Sequence, residues 1–290
     1  MLEKYFAILE GEEKSKYLQN KEKIPLLIRK AEEIFQNCHF CEHRCGVNRY
    51  ERAGKCRVKQ ASIASHFFHY GEESMLIPSY TIFFSGCTFY CVYCQNWDIS
   101  QYHAGIYIEP EKMAFMIEKA WERGAKNVNW VGGEPTPNLL YILQVLEKCN
   151  ANLPQIWNSN MYCSIQTMDL LKEIVDVYLT DFKYGNNQCA ERLSKIKNYW
   201  DIITRNHKIA YEQGEMIIRH LILPNHVECC SKPILEWIAE NVPDAMVNIM
   251  DQYYPTYKAM EYEEINRRIK MAEYDEVYDY AKELGINIIK

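Results

Sequence analysis

Three cysteines in the segment FFSGCTFYCVYCQNWD, residues 83–98, have the spacing in this chain that most clearly predicts chemistry. Cys87, Cys91 and Cys94 form a C-x3-C-x2-C pattern. A closed structural zinc site takes four ligands, so three thiolates either share a distant fourth partner or hold a metal centre with one open position. A cubane iron–sulfur cluster is normally held by four thiolates, and with three of them one iron can bind a small molecule. The spacing alone leaves both alternatives open.

A second group of cysteines lies nearer the N-terminus and has four members rather than three. Its pattern is C-x2-C-x3-C-x10-C, formed by Cys38, Cys41, Cys45 and Cys56. Four thiolates satisfy one tetrahedral zinc ion or one fully ligated [4Fe–4S] cluster, and the pattern does not choose between them. We expect His39 and His43, which lie between these cysteines, to be bystanders.

The composition limits the classes of function. The chain has 290 residues, a net charge of −6 and 12 cysteines, seven of them between Cys38 and Cys94. Clustered cysteines favour metal binding in a reducing compartment over disulfides, so we expect a cytoplasmic protein. The acidic balance does not favour nucleic-acid binding, and no apolar run predicts a membrane span or a signal peptide. Five further cysteines show no ligand spacing and are interpreted as small core residues or chance occurrences: Cys149, Cys163, Cys189, Cys229 and Cys230.

Alternating strand and helix patterns must position the cysteine loop. Six apolar or β-branched runs predict strands at 80–86, 127–133, 155–160, 175–184, 215–224 and 245–253, with helical patterns between them. Six such repeats predict a parallel sheet that can curl into an open barrel. We expect three segments: N-terminal helices at 1–37, a four-cysteine metal-binding segment at 38–79, and an α/β core at 80–290. Reactive residues should lie at the carboxyl ends of the strands.

Two strand ends carry residues suited to binding a charged ligand. The sequence VGGEP ends the second strand of the core with Gly132, Gly133 and Glu134. Glycines let the backbone approach a ligand closely, and a carboxylate pairs with an ammonium group. Asp181 and Lys183 end the fourth strand and share one face, because side chains two residues apart point the same way. A surface ion pair is the alternative interpretation of that spacing.

Together these motifs resemble a known family. SGCTFYCVYCQNWDIS, with Tyr93 as the aromatic residue before its last cysteine, NWVGGEPTP, VDVYLTDFKY and NIMDQYYPTYKA resemble the pyruvate formate-lyase activating enzyme-related (PflX-like) family of radical S-adenosylmethionine (SAM) proteins. The resemblance extends from Cys38 onward. It implies an incomplete (β/α)6 barrel with an N-terminal helical and cysteine-rich extension. It also implies a [4Fe–4S] cluster on Cys87, Cys91 and Cys94, whose open iron chelates SAM.

The resemblance further implies which residues contact SAM. They are Tyr93, Gly132, Gly133, Glu134, Asp181, Lys183 and Arg219. Ser159 and Asn160, at the end of the third strand, are further candidates for contacts with the ribose or carboxylate of SAM. Arg219 matches a family pattern of an arginine, an apolar run and a proline, but Asn225 stands where the family usually has glycine. The pyruvate formate-lyase activase itself has no segment like Cys38–Cys56, and this departure argues against a simple activase role.

The activity implied is that of an oxidoreductase. SAM would be cleaved reductively to a 5′-deoxyadenosyl radical, which would take hydrogen from a substrate, such as a glycine of a partner protein. The alternatives are another protein side chain, a small molecule, or a non-enzymatic metal-binding scaffold. The expected electron donor is flavodoxin or ferredoxin, and neither a membrane nor a nucleic acid is expected as a partner.

Overall fold

The computed structural model describes residues 2–102 and 104–289. These residues form one eight-stranded sheet with helices packed around it. The strands are β1 Ile63–His69, β2 Ser79–Phe84, β3 Asn127–Gly132, β4 Gln155–Ser159, β5 Val177–Asp181, β6 Glu215–Leu221, β7 Met246–Met250 and β8 Asn287–Ile289. The helices are α1 Glu3–Glu10, α2 Lys16–Gln19, α3 Ile24–Gln36, α4 Trp97–Tyr102, α5 Pro110–Glu122, α6 Leu139–Lys148, α7 Ile165–Leu171, α8 Asn187–Ser194, α9 Tyr199–Gln213, α10 Lys232–Asn241 and α11 Met271–Glu283.

The sheet follows the order of the chain, β1 to β8, and is open rather than closed. Strands β2 to β8 are parallel to their neighbours, and β1 alone runs antiparallel, against β2. The six predicted strands are β2 to β7, so the expectation of an incomplete α/β barrel is confirmed. Helices connect these strands, as parallel neighbours require a crossover.

Strand β1 corrects one expectation. Residues 63–69, within the segment predicted only to bind metal, pair antiparallel with β2, with one irregularity between Ile63 and Ser65. The sequence IASHFFH hides this strand because an edge strand needs little apolar patterning: only Ile63 is buried, and Phe67 is exposed. The predicted metal-binding segment 38–79 therefore contributes a strand to the sheet of the core.

The interior of the barrel is filled from the amino-terminal ends of the strands. Leu2, which precedes α1, and Tyr5, which lies within it, pack with Leu76 against an apolar layer of strand residues. That layer consists of Ile156, Val177, Leu179, Ile217 and Met246. Because parallel strands are covered on both faces, β4 and β5 are almost entirely buried. This end of the barrel is plugged, so the opposite end carries the open site.

The N-terminal residues form a series of short helices. Gly11, with φ of +78°, ends α1, and Asn20 follows α2. Helix α3 has Pro25 in its first turn and packs against α6. Within the described residues, no helix combines the length and apolar character that crossing a membrane would require.

Candidate active site

A cavity of about 220 Å³ opens at the carboxyl ends of the strands, where the sequence places the reactive residues. Residues following β2, β3, β4 and β5 line it, together with the last residues of β6 and β7. The lining includes Cys87, Cys91, Tyr93, Cys94, Gly132, Gly133, Glu134, Asn158, Asn160, Asp181, Lys183, Leu221 and Met250. Six neighbouring strands thus meet at one site, as expected for an open α/β barrel.

The three cysteines of the C-x3-C-x2-C motif form one wall of this cavity. Phe89 donates its backbone N–H to Sγ of Cys87 at 3.3 Å, and the Ser194 hydroxyl donates to Sγ of Cys91 at 3.0 Å. Burial raises the pKa of Cys91 to about 12 and that of Cys87 well above its usual range, so the metal-free thiols are protonated. Metal binding would displace these protons.

The spacing of these thiols suits a cluster better than a single ion. Among the described residues, the three sulfurs do not all come within 4.8 Å of one another. A single zinc ion with Zn–S bonds of about 2.3 Å in tetrahedral geometry brings its sulfurs to about 3.8 Å. A cube of four irons and four sulfides is larger, so its thiolates stand further apart. Cysteine thiolates are the usual ligands of a [4Fe–4S] cluster, so this donor set fits such a cluster.

The two glycines at the end of β3 are required by close backbone packing. Gly132 has φ of +121°, and a Cβ there would overlap the backbone of Phe84. A Cβ on Gly133 would overlap the carbonyl oxygen of Gly86 in the cysteine loop. Any larger residue would push the end of β3 away from the cysteine loop, so both glycines bring the two ligand-binding segments together.

Glu134 is a buried carboxylate with one oxygen available for a ligand. Its Oε1 accepts hydrogen bonds from the Thr136 N–H at 3.2 Å, the Thr136 hydroxyl at 2.6 Å and the Ser159 hydroxyl at 2.7 Å. Oε2 accepts from the Asn160 N–H at 3.0 Å. Burial raises the pKa of Glu134, and these four donors oppose that rise. A carboxylate has about four acceptor positions, so Oε2 can still accept from an ammonium group at the cavity.

Ser159 and Asn160 differ in their relation to the site. Ser159 does not line the cavity, since its hydroxyl binds Glu134; it supports the carboxylate rather than facing a ligand. Asn160 lines the cavity, and its Nδ2 donates to the Thr88 hydroxyl at 3.0 Å and contacts Sγ of Cys87 at 3.8 Å. Asn160 therefore joins the carboxylate side of the site to the cysteine side.

Asp181 and Lys183 form an ion pair in the cavity wall. Nζ of Lys183 lies 2.8 Å from Oδ2 of Asp181, and both residues line the cavity. Burial works against the charge of Lys183, but the Asp181 carboxylate outweighs it and raises the pKa of the lysine. The pair belongs to the site, so the alternative of an isolated surface pair does not describe it.

Arg219 is not brought to the cavity, although the resemblance implies a contact with SAM. Its guanidinium binds Glu73 at 2.8 and 2.7 Å and also binds Glu72. Both carboxylates lie on the β1–β2 connection, and Leu221, two residues after Arg219 on the same face of β6, lines the cavity instead. Burial opposes the charge, but the two carboxylates raise the pKa of Arg219. Arg219 therefore holds the β1–β2 connection inside the barrel.

Tyr93 lines the cavity and connects its wall to α8. Its hydroxyl lies 2.7 Å from that of Tyr184, which lies 2.6 Å from the Ser194 hydroxyl. Ser194 in turn donates to Cys91. The ring of Tyr93 packs edge-on against Tyr253 at 5.8 Å between centroids. This hydrogen-bonded chain fixes the cysteine loop against α8.

The Cys38–Cys56 group lies beside the cysteine loop but outside the cavity. The His43 imidazole donates from Nε2 to the Thr88 carbonyl at 2.8 Å, and Arg57 donates to the Gln101 carbonyl at 3.0 Å. These bonds dock the segment against the motif. The bond to Thr88 accounts for Nε2 of His43.

Arg49 is a buried cation next to the Cys38–Cys56 group. It is 1% exposed and donates to the carbonyls of Val58 at 2.9 Å and Pro137 at 2.5 Å. Its guanidinium stacks over Phe35 at 4.5 Å and hydrogen-bonds Cys38. Among the described residues, no carboxylate lies within ion-pairing distance of it. A buried cation needs an anionic partner, and a metal–thiolate centre would supply one.

Two of the five further cysteines are not core residues, whereas Cys230 is buried. Cys229 is exposed, Cys189 is partly exposed, and their sulfurs meet that of Cys230 within 4.8 Å. Cys149 and Cys163 are buried as expected. The signal in the sequence was a short H-x2-C-C run, His226–Cys230, whose third thiol is 40 residues away along the chain.

Comparison with known proteins gives the family. The Radical SAM superfamily matches residues 81–238, more than half of the chain. The uncharacterized protein MJ0674 of Methanocaldococcus jannaschii is 50% identical over 273 residues, which cover 92% of this chain and 80% of that protein.

Solved structures share the fold at low sequence identity. SuiB of Streptococcus suis bound to S-adenosylmethionine superposes with a TM-score of 0.54 at 14% identity, over 70% of this chain and 47% of that chain. A radical SAM methyltransferase of Sphaerobacter thermophilus gives 0.53 at 13% identity, over 72% and 64% of the two chains. Methylornithine synthase gives 0.50 at 14% identity, over 98% and 84%. This chain thus spans about half the length of SuiB. The cavity, its motifs and the family match agree, and the protein belongs to the radical SAM superfamily.

Proposed function

We propose that this radical SAM enzyme abstracts hydrogen from a glycine of a partner protein. One observation supports the SAM chemistry of this enzyme: three kinds of group line a single cavity. Three thiols without a fourth follow β2, a carboxylate with a free acceptor position follows β3, and an Asp–Lys pair ends β5. A purely structural metal site requires the first of these but neither of the others.

Each group has a distinct task at the site. Cys87, Cys91 and Cys94 would hold a [4Fe–4S] cluster. When bound and reduced, this cluster would supply one electron to the sulfonium of SAM, so that the bond from sulfur to C5′ breaks. The products would be methionine and a 5′-deoxyadenosyl radical, which takes a hydrogen atom from the substrate. Glu134 receives the ammonium group of SAM. The Asp181–Lys183 pair holds the rest of the cofactor and helps to exclude water.

Exposed aromatic residues beside the cavity favour a macromolecular substrate. Trp97 on α4 stacks on Tyr257 at 5.7 Å between centroids, and Tyr102 lies edge-on to Trp97. Tyr102 and Tyr254 are exposed. Helix α4 follows the cysteine loop, and residues 254–257 follow β7, so both lie at the open end of the barrel. Exposed aromatic clusters commonly mark protein-binding surfaces.

We further propose that the Cys38–Cys56 group holds a second [4Fe–4S] cluster rather than zinc. In the described structure no three of its sulfurs lie within 4.8 Å of one another. Zinc would bring them to about 3.8 Å, whereas a cluster needs a wider arrangement. A closed cluster beside the motif could pass electrons from a donor such as flavodoxin or ferredoxin.

Isotope transfer tests the proposed substrate. Reduced enzyme and SAM are incubated anaerobically with the protein fraction of host cells grown on deuterated glycine. The proposal predicts one deuterium in the 5′-deoxyadenosine formed and a protein-based glycyl radical by electron paramagnetic resonance. Deuterium arriving only from a fraction of low molecular mass would favour a small-molecule substrate and contradict the proposal.

A further inference from the structure

Three thiols outside both cysteine motifs converge near the carboxyl ends of β5 and β6. Cys189 is the third residue of α8, and Cys229 and Cys230 lie in a π-helical turn, Val227–Ser231, that leads into α10. Sγ of Cys229 lies 3.9 Å from Sγ of Cys189 and 3.9 Å from Sγ of Cys230. Among the described residues, this is the group whose ligand atoms all lie within 4.8 Å of one another.

These distances match a single bound ion. Tetrahedral zinc with Zn–S bonds of about 2.3 Å places its sulfurs about 3.8 Å apart. A disulfide would require about 2.05 Å. Burial does not explain the grouping either, because Cys229 is exposed and Cys189 is partly exposed. The arrangement is also tighter than that of either of the other cysteine groups, which fit clusters.

The backbone around the thiols is held in position before any metal binds. Asn186 donates from Nδ2 to the Cys229 carbonyl at 2.7 Å, and its Oδ1 accepts the N–H of Cys189 at 2.8 Å. A Cβ on Gly185 would lie 2.7 Å from the Cys229 carbonyl oxygen, so only glycine allows the two segments to approach this closely. The turn is π-helical, a geometry that is frequent at functional sites.

His226 is positioned to act as a fourth ligand. Its Nδ1 lies 2.7 Å from the Pro224 carbonyl oxygen, which can only accept, so Nδ1 carries the proton and Nε2 is free to bind a metal. A backbone carbonyl in this role is the usual support for a metal-binding histidine. The imidazole contacts the Cys189 thiol. It is not within 4.8 Å of all three sulfurs, so the ring must move towards them to complete the tetrahedron.

We propose that Cys189, Cys229, Cys230 and His226 bind a structural zinc ion. The ion would join the start of α8 to the turn before α10. Helix α8 also carries Ser194, the hydrogen-bond donor to Cys91, and follows Lys183 by a few residues. The zinc therefore holds in place the segment that links two parts of the SAM site. This site is independent of the substrate proposed above.

Thiol reactivity resolved by peptide tests the site without interference from the other metals. The full-length enzyme, purified anaerobically, is alkylated before and after treatment with a zinc chelator. We expect Cys189 and Cys229 to react slowly at first and at least tenfold faster after chelation. Buried Cys149 provides the internal control, with slow reaction in both samples. Equal rates at Cys229 before and after chelation would overturn the proposal, as would thiols that react only after a reductant is added, because these indicate a disulfide.

Metal content gives the second readout. Cys229→Ser should lose about one zinc per chain relative to the wild type, with iron unchanged, whereas the control variant Cys149→Ser should keep the wild-type content. Serine at the exposed position 229 removes one ligand without disturbing packing. Equal zinc in Cys229→Ser and wild-type enzyme would contradict the site.

Discussion

Replacing Glu134 by glutamine probes the part of the site that should recognise SAM. The variant removes the negative charge but keeps the size of the side chain. A hydrogen bond between charged groups contributes about 1.5–3 kcal/mol. At about 1.4 kcal/mol per factor of ten, the Kd for SAM should rise about 10- to 140-fold.

The structure predicts a second effect of the same change. Oε1 accepts the N–H of Thr136 and Oε2 accepts the N–H of Asn160. Whichever oxygen becomes the amide NH2 then faces a backbone donor, and neither backbone group can turn away. One buried donor is left without an acceptor, which costs about 1–3 kcal/mol of folding stability.

Calorimetry with unreduced, anaerobically reconstituted enzyme separates these effects, with iron content and denaturant unfolding measured on the same samples. Ser159→Ala is the matched control, since it removes one donor to Glu134 but keeps the charge. It should change the Kd for SAM less than Glu134→Gln does. Unchanged affinity in Glu134→Gln at full iron content would remove Glu134 from the site, and an equal loss in Ser159→Ala would show that the charge is not the determinant.

Three further predictions concern the metal centres and the pH dependence of stability. Cys91→Ala should abolish SAM cleavage, because a centre with three thiolates has no spare ligand; product formation at the wild-type rate would exclude the assignment. Cys45→Ser should lower the iron content by about four per chain and leave the SAM-cleaving cluster spectroscopically present; loss of both clusters would show that the sites are not independent. Burial lowers the pKa of His207 from 6.5 to about 4. The imidazole of the unfolded chain therefore takes up a proton at a higher pH than that of the folded protein, and the free energy of unfolding should fall as the pH drops from 6.5 towards 4. Urea unfolding should show that the slope of the free energy of unfolding against pH is smaller in His207→Gln by up to about 1.4 kcal/mol per pH unit. An unchanged slope would contradict the assignment.

The fold and most of the cavity lining could be predicted from local patterns. The strand runs at 80–86 and 127–133 end in glycine, and the cysteine loop and Glu134 follow them directly. Parallel topology then brings the carboxyl ends of neighbouring strands together whatever the details of packing. Asn160 and Lys183 reach the cavity for this reason.

The remaining features depend on contacts between distant parts of the chain. Arg219 is bound by Glu72 and Glu73, about 146 residues away, and no local pattern reveals that the β1–β2 connection enters the barrel. Cys189 lies in α8 and Cys229 in the π-helical turn before α10, and the approach of these two segments depends on the absence of a side chain at Gly185. In both cases the sequence contains the right residue types, but their partners are set by tertiary packing.

Anaerobic SAM cleavage tests the central claim most directly. Reconstituted enzyme reduced with dithionite and supplied with SAM should form 5′-deoxyadenosine and methionine in equal amounts, and the Cys91→Ala variant should form neither. Iron-loaded, reduced wild-type enzyme that yields no 5′-deoxyadenosine, or a Cys91→Ala variant that yields as much as the wild type, would contradict the account.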